Sequence, residues 1–193
     1  IFEIIMELTM RYFRISCTIL LALLPCLGGF AKGLDQRFQI LPKPQSVEVI
    51  SEKGLDYTAL TYIQLVDGLD KESLPDLLKA LPCSPRKGKG VSLSLEEAGT
   101  PESEEGYILA VRCDGIEIKS KGLAGLFYGC QTLQQLMEDS RDRGIPIPQL
   151  KITDYPSIAY RAVHWDTKHH LDRMEYYYRE IDRLARYKVN AVI

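Results

Sequence analysis

Between Tyr107 and Met137 the hydrophobic period of the chain switches from that of a strand to that of a helix, and few folds accommodate the switch. Tyr107, Leu109, Val111 and Cys113 alternate with Ile108, Ala110 and Arg112, and alternation resumes in Ile116-Glu117-Ile118-Lys119-Ser120. Period two marks a half-buried strand. Asp114-Gly115 between the runs predicts a hairpin with a tight type I′ turn. From Gly122 the period becomes helical, with Leu123, Leu126, Phe127, Cys130, Leu133 and Met137 on one stripe. That stripe is expected to cover the hairpin. The predicted fold is therefore α+β, a small antiparallel or mixed sheet with helices on one face. Gly122, Gly125 and Gly129 do not form a phosphate loop, because neither GxGxxG nor Gly-Lys-Ser/Thr is present. Close packing of helix on sheet accounts for them.

The flanking segments extend this picture. Leu41-Pro42-Lys43-Pro44 is an extended entry, and Val47, Val49 and Ile50 suggest a strand. Tyr62–Val66 and Val91–Leu95 read as strands, and Leu74–Leu81 as a helix with its leucines on one face. Glu96–Glu105 reads as an acidic, solvated loop, and Ile145–Pro156 as an extended connector. Ala159–Trp165 reads as a buried strand, followed by a polar loop through Leu171. Asp172, with Glu175 three residues on, suits an N-cap. Met174, Tyr177, Tyr178, Ile181, Leu184 and Ala185 then form a helical stripe through Lys188, and Val189–Ile193 begins another strand. One β-α-β unit has no core of its own and wants a larger parallel sheet. The expected organisation is an upstream stretch and leader over 1–31, an α+β domain over 38–150, and the truncated start of a second domain over 151–193.

The N-terminus has the pattern of a secretory signal. Arg11 and Arg14 follow Met10, Ile15–Leu27 is mostly apolar, and Gly29-Phe30-Ala31 offers small residues for cleavage after Ala31. A membrane span fits less well, since the run is shorter than the roughly 20 residues a span needs and Pro25 interrupts it. A lipid anchor on Cys26 is disfavoured by the same proline. Export to the periplasm or the extracellular space is the expectation, with no stable membrane insertion after cleavage. The net charge of -2 gives no basic footprint for nucleic acid. Of 5 cysteines, Cys83, Cys113 and Cys130 lie beyond the leader without CxxC spacing. No metal site or cofactor is expected, and the three thiols read as small buried apolar residues, with one disulfide after export as the alternative.

Chemistry-bearing residues gather where the polar loop leaves the strand that ends near Trp165. In barrels and open α/β sheets the carboxyl end of a strand is the functional end. Arg161 has two readings: a structural ion pair, with Asp154 or Asp166 as partner, or paired hydrogen bonds to a ligand's oxygens. Asp166, His169 and His170 suit acid–base chemistry. His-Glu-x-x-His and Gly-x-Ser-x-Gly are both absent, which argues against a zinc protease and a serine hydrolase.

Asp154-Tyr155-Pro156 through Arg161, Asp166 and His170, followed by Tyr187-Lys188-Val189-Asn190, resembles the first strand, loop and helix of the barrel in glycoside hydrolase family 20, the β-N-acetylhexosaminidases. That family writes the region as Asp-Tyr-Pro, a spacer, Arg-Gly, apolar residues, Asp, a few residues, His, then a helix ending Tyr-Lys-Met-Asn. Leu41-Pro42-Lys43-Pro44, the Gly115–Ile118 hairpin and Gly125–Leu136 resemble the α+β domain in front of that barrel. The resemblance implies an incomplete TIM (β/α)8 barrel here and, for the whole protein, retaining removal of a terminal N-acetylhexosamine from a carbohydrate. Substrate-assisted chemistry of this kind departs from the two-carboxylate scheme. Its Asp-Glu pair is expected beyond Ile193, so no catalytic residue is assigned within the chain, and a fragment ending there would be inactive. The resemblance assigns Arg161 to hydroxyls of the terminal sugar, and Asp166 and His170 to support beside that pocket. Ala162 stands where the family has glycine, His164-Trp165 where it has an apolar pair, and Lys168-His169 precede the matching histidine. The alternatives are another barrel glycosidase with a similar leading domain, such as families 84 or 67, and a non-catalytic carbohydrate-binding or interaction protein. Val163–Lys168 does not fit the family 84 strand.

Overall fold

The computed structural model describes residues 34, 36–83, 88–169 and 171–193. The leader, its cleavage site, Cys17, Cys26 and His170 lie outside the described residues. Strands are β1 (Ser46–Leu55), β2 (Leu60–Gln64), β3 (Lys89–Leu95), β4 (Tyr107–Arg112), β5 (Gly115–Ser120), β6 (Ile147–Asp154), β7 (Ala162–Val163) and β8 (Ala191–Val192). Helices are α1 (Asp76–Lys79), α2 (Leu123–Arg143) and α3 (Met174–Arg186), with short 3-10 turns at Tyr57–Ala59 and Lys71–Ser73.

The alternating runs pair as the sequence predicts, with Leu109 opposite Ile118 and Val111 opposite Ile116 in an antiparallel ladder. Around this hairpin a mixed sheet of order β1-β6-β4-β5-β3-β2 assembles, parallel at β5-β3-β2 and antiparallel elsewhere. One face of the sheet is dry. Leu109, Val111, Ile116 and Ile118 pack there beneath Leu126, Cys130, Leu133, Leu136 and Met137 of α2. The other face is partly wet and carries ion pairs, Lys119 with Glu96 and Glu117, and Arg112 with Glu117.

The helix lies low on the hairpin because of glycine. A Cβ at Gly129 would stand 2.5 Å from Ile118 Cγ2 and 3.2 Å from the Tyr107 ring. Those distances are too short for any other residue without repacking.

Several expectations change. The hairpin turn is Cys113-Asp114, with Arg112 opposite Gly115, and none of residues 113–115 has positive φ. It is therefore not type I′. Gly115 instead serves β3, since a Cβ there would meet the Gly90 carbonyl oxygen at 2.8 Å. The helix expected over Leu74–Leu81 shrinks to Asp76–Lys79. Pro75 and Pro82 bound it, and proline disfavours helix in the residue before it. Ile145–Pro156 is no mere connector, because β6 lies between β1 and β4 and carries the sheet through Asp154. Pro148 is tolerated because it falls at an irregularity in the β1 register and before pairing with β4 begins at Leu150.

Of the three described cysteines, all free, Cys130 is buried while Cys83 and Cys113 are exposed. The expectation of three buried thiols fails because Cys113 falls in the turn and Cys83 in a loop. Burial alone pushes the Cys130 thiol from its ordinary 9.0 up to about 12. Iodoacetamide at neutral pH is expected to label Cys83 and Cys113 and spare Cys130, read by peptide mass spectrometry. The folded chain keeps a Cys130 proton that the unfolded chain loses near its ordinary pKa. That contribution is full below pH 9.0 and fades as pH rises toward about 12. Cys130→Ala is expected to flatten this alkaline decline in denaturant titrations.

Candidate functional site

The residues singled out by sequence lie on the segment that follows β6. β7 and β8 pair in parallel, Ala162 with Ala191 and Val163 with Val192. The ladder extends through Ile193 N to Val163 O at 2.9 Å and Trp165 N to Ile193 O at 2.8 Å. With α3 between them they make one β-α-β step. The strand expected over Ala159–Trp165 is therefore short, and it is not buried. No residue of α3 is buried either, its N-cap is Arg173 rather than Asp172, and it ends at Arg186.

Arg161 immediately precedes β7, and Asp166 follows it. The Arg161 guanidinium donates Nη2 to Glu105 Oε2 at 2.5 Å, Nε to the Lys188 carbonyl at 2.6 Å, and Nη1 to the carbonyls of Ile158 and Ala159 at 2.8 and 3.3 Å. It also lies over the Tyr128 ring, 5.6 Å from the centroid. Of its two readings, the structure displays the ion pair, with Glu105 as partner instead of Asp154 or Asp166. Glu105 was expected in a solvated loop, but it stands just before β4 and is partly buried. Its other oxygen accepts from Asn190 Nδ2 at 3.0 Å. Asn190 Oδ1 in turn accepts from the Arg161 backbone at 2.9 Å.

Asp154 has a different cation. Lys188 Nζ donates to Asp154 Oδ2 at 2.6 Å and to Tyr107 OH at 2.9 Å, and Tyr107 OH stands 2.5 Å from Thr132 Oγ1. Asp154 and Tyr107 face each other in register at the ends of β6 and β4. Desolvation pulls the Lys188 ammonium below its ordinary pKa, against the pull of Asp154. Burial, then the Asp154 charge, pushes the Tyr107 phenol well above 10.0. A cavity of about 210 Å³ lies against this junction, lined by Gln45, Tyr128, Tyr155, Ser157, Arg161 and Lys188 among others.

The loop after β7 is a separate cluster. His169 Nδ1 lies 2.7 Å from Asp166 Oδ2, and Asp166 Oδ1 accepts from the Lys168 backbone at 3.1 Å. Trp165 stacks at a tilt on Tyr177, with centroids 5.1 Å apart. The structure thus brings Asp166 and His169 together and leaves Arg161 at the other end of β7. Among the described residues, no group of three or more His, Cys, Asp and Glu is placed to hold a metal ion.

Sequence reasoning missed Glu105, Tyr107, Lys188 and Asn190 as a connected set. Lys188 and Asn190 carried a signal, polar residues where an apolar helix stripe hands over to a strand. Glu105 carried none, since its role depends on a partner far along the chain.

A mixed sheet under one long helix, joined by ion pairs to a β-α-β step, defines an α+β module with an α/β attachment. The family model described as glycosyl hydrolase family 20, domain 2, matches residues 37–155. The chain belongs to glycosyl hydrolase family 20. It is 28% identical over 159 residues to a beta-hexosaminidase B of Pseudoalteromonas piscicida, covering 81% of this chain and 20% of that protein. It is 31% identical over 176 residues to a beta-hexosaminidase of Porphyromonas gingivalis, covering 81% and 22%. The chain thus spans about a fifth of the length of these curated relatives. Among solved structures, an N-acetyl-beta-hexosaminidase of Streptomyces plicatus in complex with Thio-NAglucal superposes with TM-score 0.62 at 31% identity, covering 82% of this chain and 34% of that one. An exo beta-N-acetylglucosaminidase of Vibrio harveyi in complex with N-acetylglucosamine gives TM-score 0.67 at 27% identity, covering 83% and 26%.

The Asp166 carboxyl is held below its usual 3.8, first by the hydrogen bond with His169. His169→Ala is expected to raise the Asp166 pKa toward 3.8 in a carbon-13 NMR titration. An unchanged titration would mean that the pair does not persist in solution.

Proposed function

We propose that the chain is the N-terminal part of an exported glycosidase that removes terminal N-acetylhexosamine residues with retention. The observation that carries this reading is the parallel β7–α3–β8 step directly after a family 20 domain, with a polar loop at the carboxyl end of β7. That is the end of a barrel strand where active sites are built. In this reading residues 38–150 are the leading domain and 151–193 the first step of the catalytic barrel. The names of the relatives support the substrate class, and the Met10–Ala31 pattern supports export.

In the substrate-assisted reaction, the acetamido oxygen of the sugar bonds to the anomeric carbon as the glycosidic bond breaks. A glutamate protonates the leaving oxygen, and an aspartate orients the acetamido group. Water then opens the bicyclic intermediate with retention. The proposal places that Asp-Glu pair on a later strand, beyond Ile193, and asks no proton transfer of this chain. Asp166 and His170 support the pocket from the loop after β7. Four of the five guanidinium N–H groups of Arg161 are already engaged, which leaves one for a sugar hydroxyl. Its contacts favour a role in seating β7.

The test uses the full-length gene product with a chromogenic N-acetylglucosaminide. Release of the chromophore is expected from the full-length protein and none from the 193-residue chain. Asp166→Ala is expected to lower kcat/KM by about 10²-fold, the scale of a misplaced active-site group. Arg161→Ala is expected to lower the unfolding midpoint and leave KM unchanged. A raised KM at an unchanged midpoint would instead assign Arg161 to the sugar. No chromophore release from a correctly folded full-length protein would leave the non-catalytic alternative.

A further inference from the structure

Among the described residues after Asp154, Lys188 is the only buried one, at 7% exposure. The segment from Tyr155 onward therefore sits on the leading domain without an apolar core of its own. Its large apolar side chains, including Ile158, Tyr160, Met174, Tyr178 and Ile181, are exposed. Polar contacts hold it at several points, Arg186 on Glu138 of α2 among them, but those at the entry to β7 and β8 converge on two carboxylates. Glu105 takes Arg161 with one oxygen and Asn190 with the other. Asp154 takes Lys188.

The two carboxylates flank Tyr107. Glu105 comes two residues before it, and Asp154 pairs with it across the ladder. The segment, in turn, brings both ends of its own small sheet to the same spot. Arg161 enters β7, while Lys188 and Asn190 enter β8. Lys188 adopts the left-handed backbone, φ 59°, a conformation that a long side chain seldom takes. The turn between α3 and β8 accepts that cost, and Lys188 Nζ lies on the Asp154–Tyr107 pair. Buried ion pairs add little net stability, but they penalise every arrangement that leaves one partner alone. This makes them better at choosing a position than at strengthening one.

We infer that Glu105 and Asp154 form a two-carboxylate socket that sets the position of β7 and β8 against the leading domain, with Arg161, Lys188 and Asn190 as its plugs. These are positioning residues. The socket grips the entry ends of both strands, so it fixes their direction before any neighbouring strand can. The inference does not depend on the sugar chemistry, and its test involves no substrate.

The experiment is native-state hydrogen exchange on the 193-residue chain, followed by mass spectrometry or NMR. The amides of Ala191, Ile193 and Trp165 report the β7–β8 ladder, and those of Leu109 and Ile118 report the leading sheet. Glu105→Ala is expected to speed exchange of the first set about 10-fold or more and leave the second set unchanged. Glu105→Gln keeps an acceptor for Asn190 and is expected to restore part of the protection. Lys188→Met removes a plug from the segment side without substituting a residue of the sheet and is expected to give the same selective loss. Unchanged protection of the ladder in both Glu105→Ala and Lys188→Met would overturn the socket. So would an equal acceleration of both sets in the two variants, which would make the segment part of one cooperative unit with the sheet.

Discussion

The close seating of α2 on the β4–β5 hairpin is the constraint from which the rest of the structure follows. Gly129 allows the helix axis to approach Ile118 and the Tyr107 ring to within side-chain contact. The helix then buries Leu126, Leu133, Leu136 and Met137 against the sheet. Each such side chain contributes on the order of 1.5–3 kcal/mol when taken from water. Because β4 and β5 are joined by a two-residue turn, this core is local in sequence. The more distant strands β1, β2 and β6 add to a platform that neighbouring residues already define.

The same platform ends in polar chemistry. Tyr107 is the last fully buried side chain at the start of β4, with its ring in the core and its hydroxyl among Thr132, Asp154 and Lys188. Apolar packing thus holds the ring, and the ring holds a hydroxyl where charged groups meet. An ammonium and a carboxylate at about a tenth of full side-chain exposure are tolerable because their hydrogen bonds are satisfied. No buried side-chain nitrogen or oxygen among the described residues lacks a partner.

The fold was legible where its contacts are local. The alternation around Leu109 and Ile118 and the stripe through Leu133 each report a face that neighbouring residues create. The pairing of β6 with β1 and β4 was not legible, because Pro148 looks like a breaker until the register shows which donors that stretch does not need. The Leu74–Leu81 helix failed for the converse reason, since a good stripe says nothing about the prolines bounding it. At the candidate site, Asp166 and His169 were found because they stand three positions apart. Glu105 and Arg161 were not matched, since they stand 56 positions apart and neither sequence neighbourhood encodes the other. The α3 stripe was read correctly as apolar, yet none of its residues is buried. A hydrophobic pattern states what a helix can bury, not whether a covering surface is present.

The nearness of Gly129 to Tyr107 joins the helix to the charged cluster. A methyl group at that position would lie 3.2 Å from the phenol ring and press on it from the core side. The ring's far tip carries the oxygen shared by Lys188 and Asp154. A hydrocarbon added within the helix would therefore reappear, one ring-length away, as a disturbed ammonium. In this protein grease and charge are mechanically geared through a single tyrosine.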